Sequence, residues 1–310
     1  MKKSIIAAAL FLAVSFSALA QDSPKMSRDE YAGRYEMLVK RLGPEGVGIE
    51  TLLQKWGKDY PEDMDMLLGK FTYYLSKSRK PELVQKEGSR YLGNAPALTL
   101  KDSLDRDVNY FQVDNYDGEL FRQAIEAIDK AIEVSPLRLD CRLYKISALI
   151  GAEKESPEES LSDLCGLIDY NAKGKPSWEY PGLEKVDDEV FSASVQEFCF
   201  AFYSIGTPEG FEAFRKVSEK MLDYYPKDYT YMTNIGSYYF VYKHDNKTAL
   251  KYYNKVLKKN PDDYATIKNC VLLARNSKDV KLEKKYLPML IKVSDDESEI
   301  ASAKARLESL

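Results

Sequence analysis

Residues 226–263 read PKDYTYMTNIGSYYFVYKHDNKTALKYYNKVLKKNPDD, from Pro226 to Asp263. Two helical faces are joined by a short polar turn at Lys243-His244-Asp245, and a Pro-Asp stop recurs at Pro261 after its first appearance at Pro226. Proline disfavours helix in the residue before it, so each stop marks the end of one helix. Gly236 and Ala249 are small enough for two helices to approach closely, and Tyr239 and Tyr253 are large enough to fill the space between them. The stretch is therefore read as a helix pair followed by the start of another.

The same signals extend outward. Tyr31, Tyr35, Leu38 and Leu42 form an i, i+4, i+7, i+11 stripe, and Ile49, Leu52, Leu53 and Trp56 form a second that ends at Tyr60-Pro61. Ser27 and Glu30 make a capping-box pattern at the entry to the first stripe. A third helix is expected over 63–76. Phe121, Ala124, Ile128, Ala131 and Pro136 then repeat the small–large–small–Pro pattern, followed by helices over 140–150 and 158–170. Gly174, Pro176, Pro181 and Gly182 place a long loop over 171–185. Helices follow over 187–204, 208–224, 263–276, 279–293 and 296–309. The last carries Glu297, Ser302, Lys304, Arg306 and Glu308, polar enough to end a stack. The stretch 93–118 breaks the pattern: ALTL at 97–100 and VNYFQV at 108–113 predict an inserted β-hairpin, about 97–113.

These residues resemble the tetratricopeptide repeat (TPR) family, most clearly over 226–263 and again over 118–150, with a degenerate copy over 31–76. The period is not kept through 93–118 or 171–185. The resemblance implies an all-α fold, a right-handed α-solenoid of TPR-like helix pairs spanning 21–310 with the hairpin inserted. In this family the first helix of each pair lines a groove. Aligning Asn234-Ile235-Gly236 on the family's Asn-Leu-Gly run implies that Thr230, Thr233, Asn234, Ser237 and Phe240 face it, with Lys268 and Asn269 as counterparts in the next pair. Asparagine suits such a place because it both donates to and accepts from a peptide backbone.

The N-terminus is set apart. Lys2 and Lys3 precede an apolar run from Ile5 to Phe16 and the small residues Ala18-Leu19-Ala20, a secretory signal peptide over 1–20 cleaved near Ala20-Gln21. No cysteine follows the cut to take a lipid. A periplasmic or secreted protein is expected, with no transmembrane segment in the mature chain. Across 310 residues, 49 acidic against 45 basic residues leave the chain at −4, and loss of Lys2 and Lys3 makes it more acidic still. That balance argues against a nucleic-acid partner, which requires basic surface for its phosphates.

Little chemistry is visible. The single histidine, His244, sits in the turn between two helices. DNYDG at 114–118 fails as a calcium loop, because counting Gly118 as sixth puts Val113 and Ala124 where carboxylates belong. Acidic pairs such as Asp187-Asp188 and Asp262-Asp263 precede helices and complement their dipoles. Cys141, Cys165, Cys199 and Cys270 have no CxxC spacing and sit in apolar helical patterns, reading as buried small residues with a Cys141–Cys165 bridge as the alternative. Of the 23 tyrosines, Tyr239 and Tyr253 occupy packing positions, and Tyr225 and Tyr264 flank turns where exposure is expected. No catalytic residues, metal ligands or cofactor are assigned. The expected function is an exported, non-enzymatic scaffold for a protein or peptide partner. The alternative is a glycan- or nutrient-binding component of an envelope uptake system, against which stands a tryptophan complement of only Trp56 and Trp178.

Overall fold

The computed structural model describes residues 25–310; the expected signal peptide lies outside the described residues. Helices dominate. α1 (Arg28–Leu42), α2 (Ile49–Asp59) and α3 (Met64–Ser78) precede strands β1 (Arg79–Lys86), β2 (Leu98–Lys101) and β3 (Asp107–Tyr116). Then come α4 (Gly118–Val134), α5 (Leu139–Ala152), α6 (Glu158–Gly174), α7 (Asp188–Ile205) and α8 (Pro208–Tyr224). The chain closes with α9 (Tyr229–Val241), α10 (Asn246–Leu257), α11 (Tyr264–Asn276), α12 (Val280–Val293) and α13 (Glu297–Glu308). The helix starts follow from local chemistry. Ser27 accepts from the Glu30 amide while Glu30 accepts from the Ser27 amide, the capping box read from the sequence.

One turn is used three times. Pro61, Pro226 and Pro261 each lie a few residues past the end of a helix, and the aspartate two positions on caps the next. Asp63 accepts from the Met66 amide at 3.0 Å, Asp228 from Thr230 at 3.1 Å and Asp263 from Thr266 at 2.9 Å. The same aspartates donate their own N–H to the carbonyls of Tyr60, Tyr225 and Asn260. Each cap contributes about 1 kcal/mol, and the turn leaves successive helices side by side.

Packing runs in chain order. From α7 onward each helix rests on its successor, α9 also meets α11, α5 meets α7 and α6 meets α8. The buried side chains form three clusters along the chain, around Trp56, around Phe202 and around Tyr286. Tyr239 packs against both the second and the third. Among the described residues no helix is long and apolar enough to cross a membrane.

The expected hairpin is there, but as part of a three-stranded antiparallel sheet ordered β1-β3-β2. β1 was not anticipated, because RKPELVQK carries Pro81 and four charges in place of an apolar alternation. An outer strand tolerates both, since proline there costs no ladder hydrogen bond and charge discourages further pairing. Phe111 in β3 is fully buried, and β3 lies against α5. The loop after β1 reaches the end of α7 at Gly93, whose positive φ of 82° and contact with the Ser204 carbonyl leave no room for a side chain.

All four cysteines are free thiols, so the Cys141–Cys165 bridge is not formed. Burial pushes Cys199 and Cys270 up to about 12 and Cys141 up to about 11. His244 is exposed in the left-handed conformation, with φ 51° in the α9–α10 turn.

Two contacts hold the C-terminal half together. Gly236 in α9 lies under the fully buried ring of Tyr253 in α10, and a methyl at 236 would come within 2.5 Å of Tyr253 Cε1. Gly236→Ala is therefore expected to cost about 1–3 kcal/mol, read as a lower urea midpoint. At the end of the chain Arg306 donates to both carboxylate oxygens of Glu283 at 2.8 and 2.9 Å, and Glu283 is 1% exposed. Those hydrogen bonds hold Glu283 below its usual 4.5. A carboxylate with a depressed pKa stabilises the fold above its unfolded value and loses that contribution as pH falls through the lower folded value. The protection of amides over 297–308, relative to their intrinsic exchange at each pH, should therefore fall as pH drops below about 4.5, and Glu283→Gln should produce the same loss of protection at neutral pH. Unchanged exchange in that variant would show that α13 is held by its apolar contacts alone.

Candidate functional site

Helices α7, α9, α11 and α13 are joined edge to edge by polar side chains. Ser192 of α7 donates to Asp228 at 2.6 Å, and Tyr231 of α9 donates to the Ser192 carbonyl at 2.6 Å. The amides of Gln196 and Asn234 exchange two hydrogen bonds, at 2.7 and 3.3 Å. Thr233 and Thr266 share a 2.6 Å hydroxyl contact, Asn269 donates to Ser237, and Tyr264 donates to Glu299 of α13. The seam links each alternate helix to the next.

Five of the six polar groove residues read from the sequence fall within this seam. Thr233 and Asn234 are buried, each 7% exposed, and are engaged by neighbouring helices. Ser237 donates to the Thr233 carbonyl and accepts from Asn269. Lys268 is held by Glu299 at 2.8 Å and by the Tyr264 hydroxyl at 2.9 Å. The hydrogen-bonding capacity of these side chains is largely spent on the fold. Thr230 is different: it is exposed and lines an open groove.

That groove, of about 920 Å³, crosses the N-terminal ends of α7, α9 and α11. Ser192 and Gln196 come from α7, Tyr225 and Asp228 from the Pro226 turn, Thr230 from α9 and Asp263 from the Pro261 turn. The repeated Pro-x-Asp turn thus brings equivalent residues of consecutive helix pairs to one wall. Tyr225 is half-buried rather than exposed, because its hydroxyl accepts from Asn171. Asp188, Glu189, Asp228 and Asp263 surround the groove, with Lys227 as its one lining cation. The acidic pairs Asp187-Asp188 and Asp262-Asp263, read from the sequence as complements to the helix dipoles, stand at helix starts, where Asp187 and Asp263 also cap by hydrogen bond. The period-35 recurrence of Pro226 and Pro261 was the available signal that Asp228 and Asp263 belong to one surface.

A second cavity of about 460 Å³ lies between the sheet and the end of α5, beside Val84, Tyr91, Val113 and Glu155. Among the described residues no group of three or more His, Cys, Asp or Glu side chains is arranged to hold a metal ion. The large groove offers acceptors, carboxylates and an apolar lining. Such a surface can grip a chain.

The seam is testable apart from any ligand. Asn234→Ala leaves the Gln196 amide without its partner and is expected to cost about 1–3 kcal/mol. In a double-mutant cycle with Gln196→Ala the two losses should be strongly non-additive; additive losses would remove Gln196–Asn234 as a structural link. Compared with known proteins, the chain matches no family model and no curated protein.

Proposed function

We propose that this protein is an exported, non-enzymatic TPR-like scaffold, a right-handed solenoid of helix pairs that holds a protein or peptide partner along the α7–α9–α11 side. The observation that carries the reading is the groove itself: three helix starts, two of them supplied by successive Pro-x-Asp turns and the third by the first turn of α7, line a single trough of about 920 Å³. Where the turn repeats, at Asp228 and Asp263, the trough presents similar groups one helix pair apart, which suits an extended chain. The seam beneath it is tied by hydrogen bonds, so a partner meets an ordered wall and loses little affinity to ordering it.

The test places a photo-crosslinking amino acid at exposed positions in the native host: Ala193 and Thr230 in the groove, and Lys255 on α10 as a control. The expected result is one adduct shared by the two groove positions and absent at Lys255, found in the exported fraction and identified by mass spectrometry. Adducts confined to Lys255, or none at either groove position, would overturn the assignment.

A further inference from the structure

Ala193, Tyr225, Pro226 and Tyr229 supply the apolar part of the groove's lining, and Asp188, Glu189, Asp228 and Asp263 supply an acidic part, here called its rim. Two kinds of charged occupant could be drawn to three helix N-termini. An anion, such as a peptide's terminal carboxylate, would use the free amides there. One or two of those amides in each helix are already engaged by an aspartate: Asp187 accepts from Glu189 and Val190, Asp228 from Thr230 and Asp263 from Thr266. A helix end carries about half a positive charge, less than the full negative charge of the aspartate that caps it. The rim is therefore negative.

Its carboxylates also lack counter-ions. Among the described residues Asp188, Glu189, Asp228 and Asp263 form no ion pair, whereas Asp169, Glu212, Glu283 and Glu299 on the neighbouring helices each have a lysine or arginine. Asp188 and Glu189 are exposed in the first turn of α7 with no hydrogen bond to their carboxylates among the described residues. The acidic side chains are not gathered as a metal site would need. An apolar lining with an unpaired acidic rim complements a chain that carries both apolar and cationic side chains.

We infer that the groove takes an extended basic peptide segment. An apolar side chain lies on Tyr225 and Tyr229, and lysine or arginine side chains meet Asp188 and Glu189. This rests on the scaffold reading above and names the chemistry of its partner. A tyrosine face also favours a nearby cation.

The experiment uses the mature full chain and two end-capped fluorescent peptides of equal length, one alternating Lys and Leu and the other Glu and Leu, followed by anisotropy. The Lys peptide is expected to bind and the Glu peptide not. The double variant Asp188→Asn/Glu189→Gln should weaken the Lys peptide about three- to thirtyfold, and Lys227→Glu should tighten it. Circular dichroism confirms the fold of each variant, and the opposite signs of the two changes separate charge recognition from local unfolding. Equal binding of both peptides, no binding of the Lys peptide, or an affinity indifferent to both variants would overturn the inference. Crosslinking from Ala193 and Thr230 decides the scaffold reading separately: capture of an acidic or uncharged segment there would leave the groove standing and remove only its basic ligand.

Discussion

An isolated amphipathic helix pair cannot bury its own apolar face, and everything in this chain after β3 is arranged around that constraint. The closest expression of it is Gly236 beneath Tyr253, where the absence of a side chain on α9 lets a whole ring be buried on α10. The remaining faces of that pair are then covered by neighbours, α8 before it and α11 after it. Burying apolar surface is worth about 25 cal/mol per Å², so each added helix stabilises the one before it. α13 offers a polar outer side, with Ala303 alone fully buried.

The Pro-x-Asp turn makes this addition repeatable. Proline ends a helix, the aspartate starts the next, and the short span between them leaves little freedom in how the two meet. A consequence for function is that every use of the turn places an aspartate and its neighbours at the same end of the alternate helices. Two of the groove's four carboxylates, Asp228 and Asp263, come from such turns, so a feature required for folding also contributes charge to that surface. Polar groups between the helices are consumed differently. Thr233, Asn234 and Asn269 pair with Thr266, Gln196 and Ser237 respectively, since a buried amide left unpaired costs more than its hydrogen bond returns.

The sheet departs from the helical pattern for reasons of its own. A two-stranded hairpin is marginal in water, and recruitment of β1 as a third strand, with Phe111 buried on one face, meets that difficulty. Leu83, Leu98 and Leu100 remain exposed on its strands. The insertion is anchored where Gly93 touches the end of α7 and where Tyr91 donates to Glu155.

Periodicity, capping residues and proline positions were enough to locate the helices, because each is a local property of the backbone. The capping box at Ser27, the helix pair over 229–257 and the exposed turn at His244 are all legible in that way. β1 was not, since its residues carry no strand pattern and it exists only because β3 offers an edge. The groove was legible only in part. Thr230 was placed on it by position in the repeat, but whether Thr233, Asn234 and Asn269 face a ligand or a neighbouring helix depends on the distance between α7, α9 and α11. Local sequence determined where helices begin, end and turn apolar faces inward. Tertiary structure alone decided which polar side chains remain free, because a hydrogen bond between residues some 35 positions apart forms only when packing brings their helices within reach.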